Sequence, residues 1–214
     1  MDILYQDTRI VVAVKPAGVV STDEPGGMPE LLRAHLHTDC IRTVHRLDAQ
    51  VAGVMVFARS RVAASLLSQQ IREHRFSKEY LAVLCGTPTQ PADTLTDLLA
   101  RDTRRRVTYV ADAPSPDTRE ARLFYDTVDS ADGLTLVRVQ LHTGRTHQIR
   151  VQFASRGLPL SGDRKYGASD APWPIALWSY RLSFAHPQTG EAMIFACLPP
   201  DTAPWTRFTL PDTL

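Results

Sequence analysis

The fifteen residues Val44-His45-Arg46-Leu47-Asp48-Ala49-Gln50-Val51-Ala52-Gly53-Val54-Met55-Val56-Phe57-Ala58 decide how this chain is read. From Gly53 to Ala58 the run is apolar, of strand length and rich in β-branched and aromatic side chains, which predicts a buried strand. The segment before it carries one carboxylate, Asp48, two positions after Arg46. In extended backbone, residues two apart share a face, so Arg46 and Asp48 project together with His45 and Leu47 opposite. A carboxylate so placed serves either a salt bridge within the loop or chemistry.

Working outward, Ile10 to Val14 reads as a buried strand stopped at Lys15-Pro16 and the turn residue Gly18. A Pro- and Gly-rich loop from Ser21 to Pro29 follows. Leu31, Leu32, His35 and Leu36 then fall at helical spacing with Pro29 in the first turn, leaving His35 and His37 on the surface. Downstream, Ser60 is placed to cap a helix with Ala63, Ala64, Leu66, Leu67 and Ile71 inward, ending near His74. Strands are predicted at Tyr80 to Leu84, Val107 to Val110, Ala121 to Val128 and Leu134 to Leu141, with a hairpin turn at Asp132-Gly133. Thr143 to Thr146 form a turn that opens a helix over residues 147–155, capped by Thr146. A last hairpin joins Leu182-Ser183-Phe184 to Met193 to Ala196 across Pro187 to Gly190. Strands joined by short turns with few helices predict an α+β class, a mainly antiparallel mixed sheet in two lobes flanked by helices. With no repeat, low-complexity segment or linker, residues 1–214 are expected to form a single domain.

Composition bounds the function. The chain has 214 residues, 43% apolar and 22% charged, which is ordinary for a folded soluble protein. No apolar run approaches the roughly 18 residues of a membrane span, and the N-terminus has no secretory pattern, so a cytoplasmic protein is expected. Cys40, Cys85 and Cys197 are far apart and match no zinc or redox spacing, which predicts buried thiols in a reducing compartment. The net charge is only +1, yet of 24 basic residues just Lys15, Lys78 and Lys165 are lysine. An arginine excess suits phosphate recognition, and a GC-rich genome gives the same bias. The densest cluster, Arg101-Asp102-Thr103-Arg104-Arg105-Arg106, sits at an expected hairpin connection, where it is either a solvated loop or an RNA-facing patch. His45, His142 and His147 match no zinc spacing, so no metal is expected. Trp173, Trp178 and Trp205 read as packing residues.

Four segments, in order, resemble the RluA/RsuA-type pseudouridine synthases. Arg46-Leu47-Asp48 after His45 is similar to that family's His-Arg-Leu-Asp signature, and the resemblance makes Asp48 the catalytic carboxylate. Ser77 to Gly86 resembles the second motif and assigns Tyr80 to the active site. Leu141-His142-Thr143-Gly144-Arg145-Thr146-His147-Gln148-Ile149-Arg150 matches the third motif at almost every position and implies that Arg150 pairs with the catalytic aspartate. Gly157 to Gly167 resembles a loop that follows. With Lys15-Pro16-Ala17-Gly18 at the start, the likeness runs from about Ile3 to Pro200. Two departures stand out: Val51-Ala52 where relatives commonly carry Thr-Ser, and Gln152 where a histidine is common. These bear on hydrogen bonding and substrate choice. The chain is expected to lack the S4-like RNA-binding domain that many relatives carry in front.

The resemblance implies an RNA pseudouridine synthase with no cofactor, acting as a monomer without an obligatory protein partner on a stem-loop of ribosomal or transfer RNA. Its reaction breaks the bond from uracil N1 to the ribose and joins C5 to the same sugar carbon, with no redox change. A carboxylate can attack C1′ or C6, or promote a glycal route, and the residues do not choose among these. A cation such as Arg150 within about 4–6 Å would favour the ionised carboxylate and hold it in place. The target base must be flipped out at a cost of about a few kcal/mol. Arg46 is the candidate to fill the vacated stack and Tyr80 to stack on the uracil. His45, Arg145, His147 and the hairpin residues Arg104, Arg105 and Arg106 complete the expected RNA contacts. Two other classes stay open: an RNA-binding protein that has lost activity, and a nucleoside or glycoside hydrolase, against which the want of a second placed carboxylate counts.

Overall fold

The computed structural model describes residues 2–167 and 170–212. In chain order the elements are β1 (Ile3–Gln6), β2 (Ile10–Lys15), α1 (Met28–Leu36), β3 (Arg42–Thr43), β4 (Ala52–Ala58), α2 (Arg61–Arg72), β5 (Ser77–Cys85), β6 (Ala92–Asp102), β7 (Val107–Val110), β8 (Arg119–Ala131), β9 (Leu134–Leu141), α3 (Gln148–Ala154), β10 (Leu177–Ala185) and β11 (Ala192–Ala196). They fall into two compact units. The first holds the residues up to Glu79 with Trp178–Pro199, and the second Tyr80–Leu177 with Pro200–Asp212.

In the first unit the strand order is β1-β2-β4-β10, with β3 paired to β4 and β11 to β10. β2 and β4 run antiparallel from Ile10 opposite Ala58 to Lys15 opposite Gly53. β10 joins β4 in parallel, Ser179 beside Gly53. Both faces of β2 and β4 are buried, which is why their sequences read as continuous apolar runs rather than alternating ones. One face packs α2: Ile10, Val12, Val54, Val56 and Ala58 meet Ala63, Leu67, Phe76, Leu182 and Phe184 in one core. Phe76 and Phe184 stack with centroids 5.3 Å apart.

The Ser60 cap forms as expected, its hydroxyl accepting from the Ala63 N–H at 3.1 Å. The inward face of α2 is corrected in one place. Leu66 is 37% exposed, while Gln70 is buried. Gln70 is polar but fully occupied, donating to the Ala185 carbonyl and accepting from the Ala185 N–H, each at 2.8 Å. Burying both ends of an amide on one backbone residue satisfies it as well as water would, so the helix is fastened to β10 by a polar side chain on the same i, i+4, i+7 stripe as Ala63 and Leu67.

The second unit runs in the strand order β5-β9-β8-β6-β7, with β9, β8, β6 and β7 paired antiparallel. β6, eleven residues long, is the longest strand the sequence does not announce, besides the short β1 and β3: Asp93, Ala92, Asp97 and Asp102 are weak strand formers, and its pairing with β8 supplies what propensity lacks. The expected hairpin turn is present, with Asp132 at φ 53° and Gly133 at φ 74°, the pair of left-handed residues a tight I′ turn requires. α3 is buried along its whole length from Gln148 to Phe153. Its cap differs from expectation. Thr146 does not cap it; His147 takes the N-cap position in left-handed backbone at φ 56°. Cys40, Cys85 and Cys197 are free but only half-buried, not buried as composition suggested. Among the described residues no helix is long and apolar enough to cross a membrane.

The parallel crossing of β4 and β10 rests on Gly53. It has φ 121°, and a Cβ there would lie 2.3 Å from the Ser179 carbonyl oxygen. Gly53→Ala is therefore expected to cost more than about 3 kcal/mol in urea unfolding. Gly133→Ala, in open space and strained only by its φ, should cost about 1–2 kcal/mol.

Candidate active site

Asp48 stands on an extended loop ahead of β4, and burial alternates along it: His45 and Leu47 are buried, Arg46 is exposed and Asp48 half-buried. That is the two-residue periodicity the sequence implied. The loop is held by backbone atoms. The Ser21 hydroxyl donates to the Leu47 carbonyl at 2.9 Å and accepts from the Leu47 N–H at 3.2 Å. Gly18 N–H donates to the Ala49 carbonyl at 2.8 Å, and Val51 N–H to that of Asp48 at 3.0 Å.

Beneath the loop lies Lys15, fully buried. Its ammonium donates to the carbonyls of Pro16, Val19 and Ala49 at 2.9, 2.6 and 2.9 Å, using all three protons. Burial pushes its pKa down to about 8, and the charge of Asp48 opposes that shift. Lys15 thus ties the Lys15-Pro16-Ala17-Gly18 turn to the residue after Asp48 and places a positive charge within the field of that carboxylate. The sequence marked this lysine as a strand end and as the first residue of the Lys15-Pro16-Ala17-Gly18 likeness, without a role; a lone lysine closing an apolar run was the available signal.

The expected RNA contact at His45 is corrected. Its side chain is 7% exposed in the core of the first unit, against Phe76 with centroids 5.5 Å apart. Nε2 accepts from the Val56 N–H at 3.2 Å. Burial first, and the charge of Lys78 second, push its pKa down to about 3, so the ring is neutral. A neutral ring facing apolar packing positions the loop and has no face for a phosphate.

In the second unit Tyr80, on β5, is 4% exposed. Arg150, on α3, is 8% exposed and gripped by Asp163, a residue the sequence did not single out. The contact is bidentate, Nε to Oδ2 and Nη2 to Oδ1 at 2.8 Å each. Burial acts to raise the Asp163 pKa, but the Arg150 guanidinium and the N–H groups of Lys165 and Tyr166 outweigh it and hold the carboxyl low. The ring of Tyr166 lies under the same guanidinium, 5.0 Å from Cζ to centroid. His147 Nδ1 is 2.6 Å from the Tyr166 hydroxyl. Arg145 is exposed and donates from Nε to the Glu120 carbonyl at 2.9 Å. Its N–H donates to Gln148 Oε1, which also accepts from Thr143. Arg104, Arg105 and Arg106 are exposed on the turn joining β6 to β7, where Asp102 accepts from the N–H groups of Arg104 and Arg105.

The two sequence departures have structural accounts. Val51 is buried apolar packing at the start of β4. Gln152 is fully buried and its amide nitrogen reaches Asp97 at 2.7 Å and the carbonyls of Leu95 and Ala121 at 3.3 and 3.2 Å, so it pins α3 to β6 and β8. Among the described residues no group of three or more His, Cys, Asp or Glu could hold a metal ion.

Two outcomes test this account. Because the folded chain binds the Lys15 proton less tightly than the unfolded chain, stability rises with pH between about 8 and the ordinary lysine value of 10.5. The unfolding free energy of the wild type, measured against Lys15→Met in urea, should accordingly shift in favour of the wild type across that window. Asp163→Ala, which takes away the bidentate partner of a buried arginine, should cost roughly 3–5 kcal/mol.

The model of the family described as RNA pseudouridylate synthase matches residues 9–155. The chain is 33% identical over 207 residues to the uncharacterized RNA pseudouridine synthase YhcT of Bacillus subtilis, spanning 91% of this chain and 67% of that protein. It is 34% identical over 213 residues to the dual-specificity RNA pseudouridine synthase RluA of Escherichia coli, spanning 90% of each. Among solved structures, human RNA pseudouridylate synthase domain containing 4 aligns with a TM-score of 0.78 at 22% identity, over 93% of this chain and 88% of that one. Human RNA pseudouridylate synthase domain containing 1 aligns at 0.79 and 23% identity, over 94% and 84%. These two speak for the fold, which is the α+β pseudouridine synthase fold. With a family model over residues 9–155 and relatives at least 33% identical that align with 90% or more of this chain, the chain belongs to the RNA pseudouridylate synthase family, whose members are isomerases.

Proposed function

We propose that this chain converts a uridine in ribosomal or transfer RNA to pseudouridine, with Asp48 as the catalytic carboxylate. The observation that carries the reading is the loop of Asp48: a half-buried carboxylate on backbone clamped by Lys15 and Ser21, next to an exposed Arg46 on the same face. Clamping matters because a nucleophile or base acts only when held near its attack geometry, and a rigid loop removes the entropy of finding it. In this reading Arg150 is the cation that serves the carboxylate, and Tyr80 stacks on the flipped uracil. Arg46 enters the stack the base has left, where its planar guanidinium recovers part of the unstacking cost.

The chemistry asks little else. The N1–C1′ bond breaks, the base turns, C5 bonds to C1′, the proton at C5 leaves and N1 gains one. A carboxylate at Asp48 can add to C1′, add to C6 or take a 2′ proton. Phosphate contacts are assigned to Arg145, His147 and the hairpin arginines Arg104, Arg105 and Arg106. The reading takes residues 1–214 as one catalytic domain, working as a monomer in the cytoplasm with no obligatory protein partner; three free cysteines are consistent with a reducing compartment.

The test is tritium release from 5-³H-uridine-labelled ribosomal and transfer RNA lacking pseudouridine. The wild type should release tritium and Asp48→Asn, folded by circular dichroism, should fall by more than about a thousandfold. Equal rates in the two proteins would sink the role of Asp48, and free uracil among the products would make the chain a hydrolase.

A further inference from the structure

Arg104, Arg105 and Arg106 occupy a turn between two strands of the second unit, and Arg150 sits on its buried helix. One side chain touches the supports of both. We infer that Tyr166 is a positioning residue that fixes the arginine-rich β6–β7 hairpin to the seat of Arg150, so that RNA held by the hairpin is held in register with that arginine. The inference rests on the function proposed above and deepens it.

Tyr166 makes three kinds of contact. Its ring lies under the Arg150 guanidinium, which Asp163, three residues earlier, grips from the edge. The same ring packs on the cluster of Leu99 from β6, Ala121 from β8 and Val151 from α3, beside Val110 of β7. Its hydroxyl accepts from the Thr108 N–H at 2.8 Å and lies 2.6 Å from His147 Nδ1. Burial raises the phenol pKa, so the hydroxyl keeps its proton and shares one hydrogen bond with the His147 ring.

Thr108 is where the hairpin is held. It pairs with Arg101 across the base of the turn, two residues beyond Arg106. β7 ends the strand order of its unit, so an N–H there is open to a side-chain acceptor. The phenol oxygen is that acceptor. Removing the Tyr166 hydroxyl leaves the Thr108 N–H without its acceptor and frees the base of the hairpin, with the ring under Arg150 retained. The hydroxyl therefore governs where the three arginines sit.

The experiment is a double-mutant cycle on RNA binding, a readout that needs no turnover. The probe is an unmodified, fluorescein-labelled transfer RNA transcript, titrated by anisotropy at several salt concentrations. The variants are Tyr166→Phe, the triple variant Arg104→Ser, Arg105→Ser and Arg106→Ser, and their combination, each checked by thermal melting. The triple variant should flatten the salt dependence. Tyr166→Phe should weaken binding about tenfold in the wild-type background and clearly less in the triple variant, where only the hydroxyl's bond to His147 is left to lose. Equal weakening in both backgrounds, which general loosening of the fold would produce, overturns the inference, as does no weakening in either. Wild-type protein that binds with this pattern yet releases no tritium would overturn the proposed function while leaving the coupling in place. Wild-type protein that binds no RNA overturns both.

Discussion

The ammonium of Lys15 is the contact on which the first unit's functional loop depends. A fully buried cation is expensive unless its protons are all engaged, and here three carbonyls from two separate turns engage them. Because one carbonyl belongs to Ala49, the cation that terminates β2 also sets the path of the chain just past Asp48. The field is mutual: burial disfavours the charge on Lys15 and the carboxylate of Asp48 favours it. The loop is thereby held by an interaction that also prepares its electrostatics, and Ser21 on Leu47 completes the clamp from the other side.

The second unit solves a similar problem differently. Arg150 is buried on a helix whose every residue from Gln148 to Phe153 is inside. A guanidinium tolerates that position when its fork meets a carboxylate edge-on and an aromatic ring face-on, and Asp163 and Tyr166 provide the two from one short segment. Gln152 anchors the next turn of the same helix to β6 and β8. Arg150 and Gln152 thus orient this helix through their buried donors.

Much of the fold was legible. β2, β4 and β5 announced themselves as apolar runs, the helix after Ser60 by its cap and spacing, and the β8–β9 hairpin by Asp132-Gly133. Those signals are local, arising from steric and hydrogen-bonding preferences within a few residues. β6 escaped because its strand character comes from its neighbours rather than from its own aspartates and alanines. The expected cap at Thr146 failed because the chain enters α3 through a left-handed residue, a choice set by the Gln148 side chain gathering the turn before it.

By itself the sequence determined the order of the elements, the shared face of Arg46 and Asp48, and the motifs that place the chain in its family, since each depends on spacing along one stretch of backbone. Only the tertiary structure decided that His45 is a neutral core residue, that Lys15 clamps the Asp48 loop, and that Asp163 and Tyr166 seat Arg150. Those outcomes turn on hydrogen bonds and burial between residues 11 to 58 positions apart, and no periodicity within a strand or helix encodes which distant carbonyl or phenol will stand opposite a buried charge.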